Sequence, residues 1–190
     1  MNEVGIVTRA CGGICPMVRT ETISIDIEKR TIPFILVSEQ NAVERYDWWE
    51  DEVYVEELDV NGANFEALRT FFVDHNPNVE NAIGRIENTR KSDGRIVADV
   101  VFGKDQKSDL VFQKYVDRIL TDVSIGYRVK DIQVTEKKGE PTHVLVTDFE
   151  IIELSAVWNG FDKGATIGRE TKKSSSVFRK RLNLLKRKAL

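Results

Sequence analysis

The fold is decided by the stretch Val123-Ser124-Ile125-Gly126-Tyr127-Arg128-Val129. Its apolar residues alternate with polar or small ones, which is the period-two pattern of a half-buried β-strand. The alternation predicts a strand over residues 123–134 with Ser124 and Gly126 on its polar face. A glycine in such a place leaves room for another group to approach the backbone.

Strand patterns extend from this stretch in both directions. A polar turn at residues 136–141 leads into a second strand rich in β-branched residues over 142–157, and earlier strands are predicted at residues 23–28, 31–37, 53–58, 82–87 and 96–102. Helical spacing of apolar residues predicts helices over 64–72 and 109–120. Because strands and helices do not alternate regularly, a doubly wound sheet is disfavoured. We therefore predict an α+β, mainly β fold, a mixed or antiparallel β-barrel flanked by helices.

Charge divides the chain unevenly. The 190 residues carry a net charge of −3, but residues 171–190 hold eight Lys and Arg and no acidic residue, which leaves a net charge of −11 on residues 1–170. We predict an N-terminal lead-in (1–19), a folded domain (20–170) and a basic linker with an amphipathic tail (171–190). An apolar fraction of 41% excludes a wholly disordered chain. No apolar run reaches the length of a membrane span and no signal peptide is recognisable, so we expect a soluble protein inside a cell or particle.

Cysteine and histidine are too few for a convincing metal site. Cys11 and Cys15 form a single CxxxC pair, and the two histidines, His75 and His143, are not spaced as a ligand pair. We expect two reduced thiols, no metal and no cofactor.

Three sites contain residues suited to nucleophilic catalysis. Ser124 is an exposed strand serine, which serves either as a nucleophile or simply as a polar surface residue. A base for it would be His75, in a loop after an apolar segment, or His143, at the entry of a strand. Glu153 lies on an otherwise mostly apolar strand face, where a carboxylate needs a partner such as an imidazole or an arginine. The alternative for Glu153 is a position at a strand end that reaches solvent.

Seven stretches in this order resemble the prohead (capsid maturation) protease family of tailed bacteriophages, which is similar in fold to the herpesvirus assemblins. Each is weak alone, but their shared order and approximate spacing are specific. They lie within residues 20–170 and are Arg45-Tyr-Asp-Trp48, Val55-Glu-Glu-Leu-Asp59, Val73-Asp-His75, Ile83-Gly-Arg85, Asp93-Gly94-Arg-Ile, Val123-Ser124-Ile-Gly-Tyr127 and Ile152-Glu153-Leu-Ser-Ala-Val157.

The resemblance implies a serine endopeptidase with a herpesvirus-protease-like barrel. It assigns Ser124 as nucleophile, His75 as general base and Glu153 as the residue that orients the imidazole, with Asp148 as the alternative for this last role. The chain departs from the family after Glu153, where residues 156–160 replace a segment of small residues and proline. The oxyanion donors stay unassigned between backbone N–H groups and an arginine such as Arg85 or Arg128.

The resemblance also implies partners and a place of action. The substrates would be the phage scaffold protein and major capsid protein, cut inside the assembling prohead in the host cytoplasm. The chain would also cut itself, most accessibly at residues 171–177. Assemblin-like enzymes suggest a homodimer. No membrane or specific nucleic-acid partner is expected, since the folded body is acidic.

A non-catalytic assembly or binding module, docking through its basic tail, is the alternative function. It predicts that His75, Ser124 and Glu153 lie far apart.

Overall fold

The computed structural model describes residues 25–49 and 51–168. The predicted lead-in with Cys11 and Cys15, and the basic tail, lie outside the described residues. Nine strands and one α-helix make up the described fold: β1 Thr31–Val37, β2 Val43–Asp47, β3 Glu52–Leu58, β4 Ala63–Asn64, β5 Thr70–Val73, β6 Gly84–Ser92, β7 Arg95–Phe102, α1 Gln106–Val116, β8 Val123–Thr135 and β9 Thr142–Ala156. Short 3₁₀ turns occupy Val60–Gly62 and Val79–Asn81.

All nine strands belong to one mixed sheet. Its main path runs β1-β7-β6-β5-β9-β3-β2, and β4 and β8 also pair with β9. The predicted predominance of β structure is confirmed. The predicted barrel is not confirmed, because the sheet is open with β1 and β2 as its ends, and a single α-helix is present in the described ranges.

Strand β9 organises the sheet because it is long enough to pair with four neighbours in turn. Its 15 residues pair in parallel with β3, β4 and β5 along one edge, and antiparallel with β8 along the other. The β-branched and apolar residues that predicted this strand suit a position with ladders on both sides. The predictions for β8 and β9 are thus confirmed to within a residue at each end.

An aromatic cluster forms the centre of the core between the sheet and α1. Phe34, Phe71 and Tyr115 are fully buried, and the ring centroids of Phe34 and Tyr115 lie 5.0 Å apart. Burial of each such side chain contributes roughly 1.5–3 kcal/mol. Helix α1 begins three residues before its predicted start because the Asp105 carboxylate caps it, accepting the N–H of Ser108 at 3.0 Å.

Two sequence predictions are wrong, for a similar local reason. In place of the predicted helix over 64–72, the Asn64 side chain accepts the N–H of Glu66, and β5 follows with Phe71 buried beside β9. In place of a strand through residue 28, Asp26 accepts the N–H of Lys29 and closes a turn. Asn and Asp side chains compete with regular structure through such bonds. Ile23, the first residue of that predicted strand, lies outside the described residues.

Candidate active site

A cleft that is partly open to solvent lies beside the start of β8. His75 and Ser124, two of the three predicted catalytic residues, both line it. Much of the remaining wall is aliphatic, and Arg45, Glu56 and Tyr127 form a polar cluster in it. The cleft is therefore where the chemistry of these side chains would meet a substrate.

His75 reaches the cleft from a tight turn that follows β5. Asp74 and His75 both have φ of 52°, and the N–H of Asn76 donates to the carbonyl of Val73 at 3.1 Å, the pattern of a type I′ turn. Asp and His tolerate this left-handed conformation better than most residues. The turn is tied to β9, because the N–H of Asp74 donates to the carbonyl of Ala156 at 3.0 Å.

Glu153 is the partner of the His75 imidazole. Its Oε2 lies 2.9 Å from Nδ1 of His75, and the glutamate side chain is 11% exposed whereas the histidine side chain is 45% exposed. An ionised carboxylate only accepts hydrogen bonds, so Nδ1 carries the shared proton and Nε2 is left as a base. The pair thus has the arrangement that a general base requires.

Ser124 lies one strand beyond this pair. In the antiparallel β8–β9 ladder, Ser124 is opposite Ser155 and Gly126 is opposite Glu153, and directly opposed residues project to the same side of a sheet. The Ser124 hydroxyl makes no hydrogen bond within residues 25–49 and 51–168. Ser124 and His75 are therefore not hydrogen-bonded to each other, and catalytic hydrogen bonds of this kind often tighten only when substrate binds.

Gly126 makes room for the glutamate. A Cβ at this position would lie 2.7 Å from Oε2 of Glu153, far closer than atoms pack. Next to it the register shifts: Gly126 pairs with Glu153 and Tyr127 with Ile151, so Ile152 is the extra residue of a β-bulge. Bulges re-aim side chains beside active sites. The group that approaches this glycine is therefore the Glu153 carboxylate.

The other candidates from the sequence lie elsewhere. Asp148 is exposed and is opposite Asp131, and it makes no contact with His75. Arg85 pairs with Glu87, and Arg128 with Glu150; both arginines are about two-thirds exposed and neither lines the cleft. Among residues 25–49 and 51–168, neither arginine that the sequence suggested is placed to serve as an oxyanion donor.

His143, the second candidate base, does not line the cleft, and it pairs with a different glutamate. Its Nε2 lies 2.9 Å from Oε2 of Glu57 on the neighbouring strand β3, and the two side chains are 38% and 40% exposed. His143 therefore makes a cross-strand contact with β3 and is not placed to act on Ser124.

Sequence reasoning missed the polar cluster of the cleft. Nε of Arg45 donates to Glu56 at 3.2 Å, and the hydroxyl of Tyr127 donates to the same carboxylate. Burial, followed by this hydrogen bond, raises the pKa of Tyr127. The Arg45 guanidinium also lies 4.6 Å from the centroid of the Phe161 ring. Arg45 and Glu56 lie in two of the seven stretches that resemble the prohead protease family, and this was the sequence signal that could have identified them.

Sequence reasoning also missed Ser155. It is fully buried, its hydroxyl donates to Oε1 of Glu153, and it accepts the N–H of His75 at 3.2 Å. Its place on the same strand face as Glu153 was visible in the sequence.

Neither a metal site nor a membrane helix is found in the described part of the chain. No three His, Cys, Asp or Glu side chains there come together as ligands would, and no helix there is long and apolar enough to cross a membrane.

Comparison with known proteins gives one lead, to a phage particle protein. No family model and no solved structure matches the chain. It is 29% identical over 85 residues to the major capsid protein of Halomonas phage phiHAP-1, which covers 45% of this chain and 14% of that protein. The chain thus spans about one seventh of the curated relative that it matches. The matched segment belongs to a phage capsid protein, and the match says nothing of proteolysis.

Proposed function

We propose that the chain is a serine endopeptidase that acts in phage capsid maturation. The main support is the nearly buried Glu153 carboxylate, whose Oε2 lies 2.9 Å from Nδ1 of His75. His75 and Ser124 line the same cleft. A carboxylate that orients a histidine, next to a serine whose hydroxyl has no hydrogen-bond partner among the described residues, is the arrangement that activates serine.

The proposed reaction uses these three side chains in sequence. Ser124 Oγ attacks the carbonyl carbon of the scissile peptide bond while Nε2 of His75 accepts the hydroxyl proton. Glu153 stabilises the imidazolium that forms, and His75 then gives the proton to the leaving amine. Water, deprotonated by His75, attacks the acyl-enzyme and releases the new carboxyl terminus and Ser124.

The proposed substrates are the scaffold protein and the major capsid protein of the phage, together with the chain itself. The similarity to a phage major capsid protein and the resemblance to prohead proteases support this assignment. The proposed place of action is the interior of the assembling prohead in the host cytoplasm.

A herpesvirus-protease-like barrel and a homodimer are part of the same proposal. Two isolated bridges support the barrel. Ile167 pairs with Phe34 of β1 and its neighbour Thr166 pairs with Asp122, the residue before β8, so this segment connects β1 with the start of β8.

The proposal is tested by incubating purified protein with the scaffold and capsid proteins. Wild type is expected to produce discrete fragments, and Ser124→Ala is expected to produce none. Ser92→Ala, at the end of β6 and away from the cleft, is the matched serine control and should cut like wild type. Equal processing by wild type and Ser124→Ala would remove Ser124 from the mechanism.

Mass spectrometry of the purified chain tests self-cleavage in the same preparations. We expect loss of part of residues 171–190 in wild type and an intact C-terminus in Ser124→Ala. The same truncation in both proteins would assign it to a foreign protease.

A non-catalytic assembly module is the second candidate, and the similarity to a capsid protein favours it. It predicts that the chain binds scaffold or capsid protein through residues 171–190 without cutting it. Binding by wild type with no fragments, at any ratio of the two proteins, would favour this function over the first.

A further inference from the structure

The Ser155 hydroxyl is in contact with both members of the His75–Glu153 pair. It donates to Oε1 of Glu153, while Oε2 of the same carboxylate contacts Nδ1 of His75. Each carboxylate oxygen thus has one donor. The same hydroxyl accepts the backbone N–H of His75 at 3.2 Å. One buried group therefore connects the side chain of the acid with the backbone of the base.

Strand order makes this position central to the site. Ser155 on β9 is opposite Phe72 of β5 on one side and opposite Ser124 of β8 on the other. The base follows β5, the orienting acid is two residues away on β9, and the nucleophile is on β8. Ser155 is thus the point in the sheet at which the three segments that carry the site meet.

The His75 turn depends on such an anchor. Two consecutive residues other than glycine in the left-handed region cost conformational energy and persist only when their surroundings hold them. The backbone N–H of Asp74 is held by a carbonyl of β9, whereas the N–H of His75 is held by the Ser155 side chain. Removal of the hydroxyl would free the residue whose imidazole has to point at Ser124.

From these contacts we propose that Ser155 is a positioning residue of the protease site, which fixes both the Glu153 carboxylate and the His75 backbone. The inference rests on the proposed function for its kinetic consequence. Ser155 itself is fully buried, so it acts through His75 and Glu153 and does not touch substrate.

The sharpest test follows the Nδ1 proton of His75 by ¹H–¹⁵N NMR of the histidine side chains. In wild type, a proton shared with a carboxylate exchanges slowly and gives its own resonance. His143→Ala identifies this resonance by removing the signals of the other histidine. We expect Ser155→Ala to broaden or abolish the His75 signal, and the matched control Ser124→Ala, which removes the opposite hydroxyl, to retain it.

Kinetics with a substrate that wild type cuts provide the second readout. Misplacement of a catalytic group by about 1 Å can lower the rate of the chemical step by about 100-fold. We therefore expect Ser155→Ala to lower kcat by about this factor with little change in KM, and Ser155→Thr, which keeps the hydroxyl, to recover part of the loss. Thermal unfolding of each variant gives the folded fraction by which kcat is divided.

The outcomes separate this inference from the proposed function. An unchanged His75 resonance and an unchanged kcat per folded molecule in Ser155→Ala would overturn the positioning role, even if that variant melts earlier. If instead Ser124→Ala cuts substrate like wild type, the proposed protease function fails. The NMR comparison then still decides whether Ser155 fixes the His75–Glu153 pair.

Discussion

Two histidine–glutamate pairs join opposite ends of strand β9 to neighbouring segments, both with a nitrogen-to-oxygen distance of 2.9 Å. The histidine side chains are similarly exposed, 45% for His75 and 38% for His143, but the glutamates differ, 11% for Glu153 against 40% for Glu57. The distance between partners is therefore not what distinguishes a candidate active site from a surface ion pair. The burial of the acid distinguishes it.

The two pairs also use different ring nitrogens. Glu153 contacts Nδ1 of His75, which leaves Nε2 for the cleft, whereas Glu57 contacts Nε2 of His143. The buried glutamate has a second donor in Ser155. A water-accessible glutamate such as Glu57 is solvated and screened, so it orients its histidine weakly. The buried acid, its second donor and the ring nitrogen that it contacts therefore all differ between the two pairs.

The largest effect expected from this comparison is on activity when each histidine is removed. His75→Ala should lower the rate of substrate cleavage by at least about 10⁴-fold, because the serine loses its base. His143→Ala should stay within about twofold of wild type, as expected for a substitution in an exposed pair. Initial rates of capsid or scaffold cleavage measure both. A large loss from His143→Ala would mean that the pairs do not differ in function.

A smaller effect on kcat is expected from substitution of the β8 residues that lie opposite the two pairs. In the β8–β9 ladder Gly126 is opposite Glu153, and Thr135 is opposite His143. Gly126→Ala puts a methyl group against the Glu153 carboxylate and should lower kcat by about 100-fold through displacement of the acid. Thr135→Ala should leave kcat unchanged.

Kinetics of the two purified variants, with thermal unfolding as a check of the fold, test this contrast. Full activity of Gly126→Ala would show that Glu153 does not need its observed position.

The smallest effect is the coupling free energy within each pair. Double-mutant cycles combining His→Ala with Glu→Gln, followed by urea unfolding, should give about 0.2–1 kcal/mol for His143–Glu57. A hydrogen bond to a nearly buried carboxylate should give more, about 1.5–3 kcal/mol for His75–Glu153. High salt should reduce the first coupling more than the second. Equal couplings with equal salt dependence would contradict the assigned role of burial.

Much of the sheet could be predicted from the sequence because its signals are local. The alternation in β8, the β-branched run in β9 and the Asp93-Gly94 turn between β6 and β7 each follow from neighbouring residues; both turn residues have positive φ, as a two-residue hairpin loop requires. Strand β5 was missed because Phe65, Leu68 and Phe72 also fit a helical spacing. The Asn64 side chain opposes a helix locally, and Phe72 is held in β5 by pairing with β9, some 80 residues away.

The sequence indicated candidate residues for the site but not the contacts that connect them. The sequence indicated that Glu153 needs a partner and that Gly126 leaves space. It did not indicate that the Glu153 side chain occupies the space beside Gly126. That contact depends on the bulge at Ile152, a register shift that alternation cannot reveal. The contacts of the Ser155 hydroxyl form only when β5 and β9 come together, so no local sequence pattern predicts them.

The late position of β9 in the chain has a consequence for the timing of synthesis. The contact between His75 and Ser155 spans 80 residues, and the parallel ladders of β9 join it to segments made long before it. Contacts of such high sequence separation form slowly, and a nascent chain emerges from the ribosome N-terminus first. His75 therefore leaves the ribosome well before Glu153, its partner in the pair. We expect the chain to acquire its site only after residue 156 has emerged, so that translation itself delays the onset of activity.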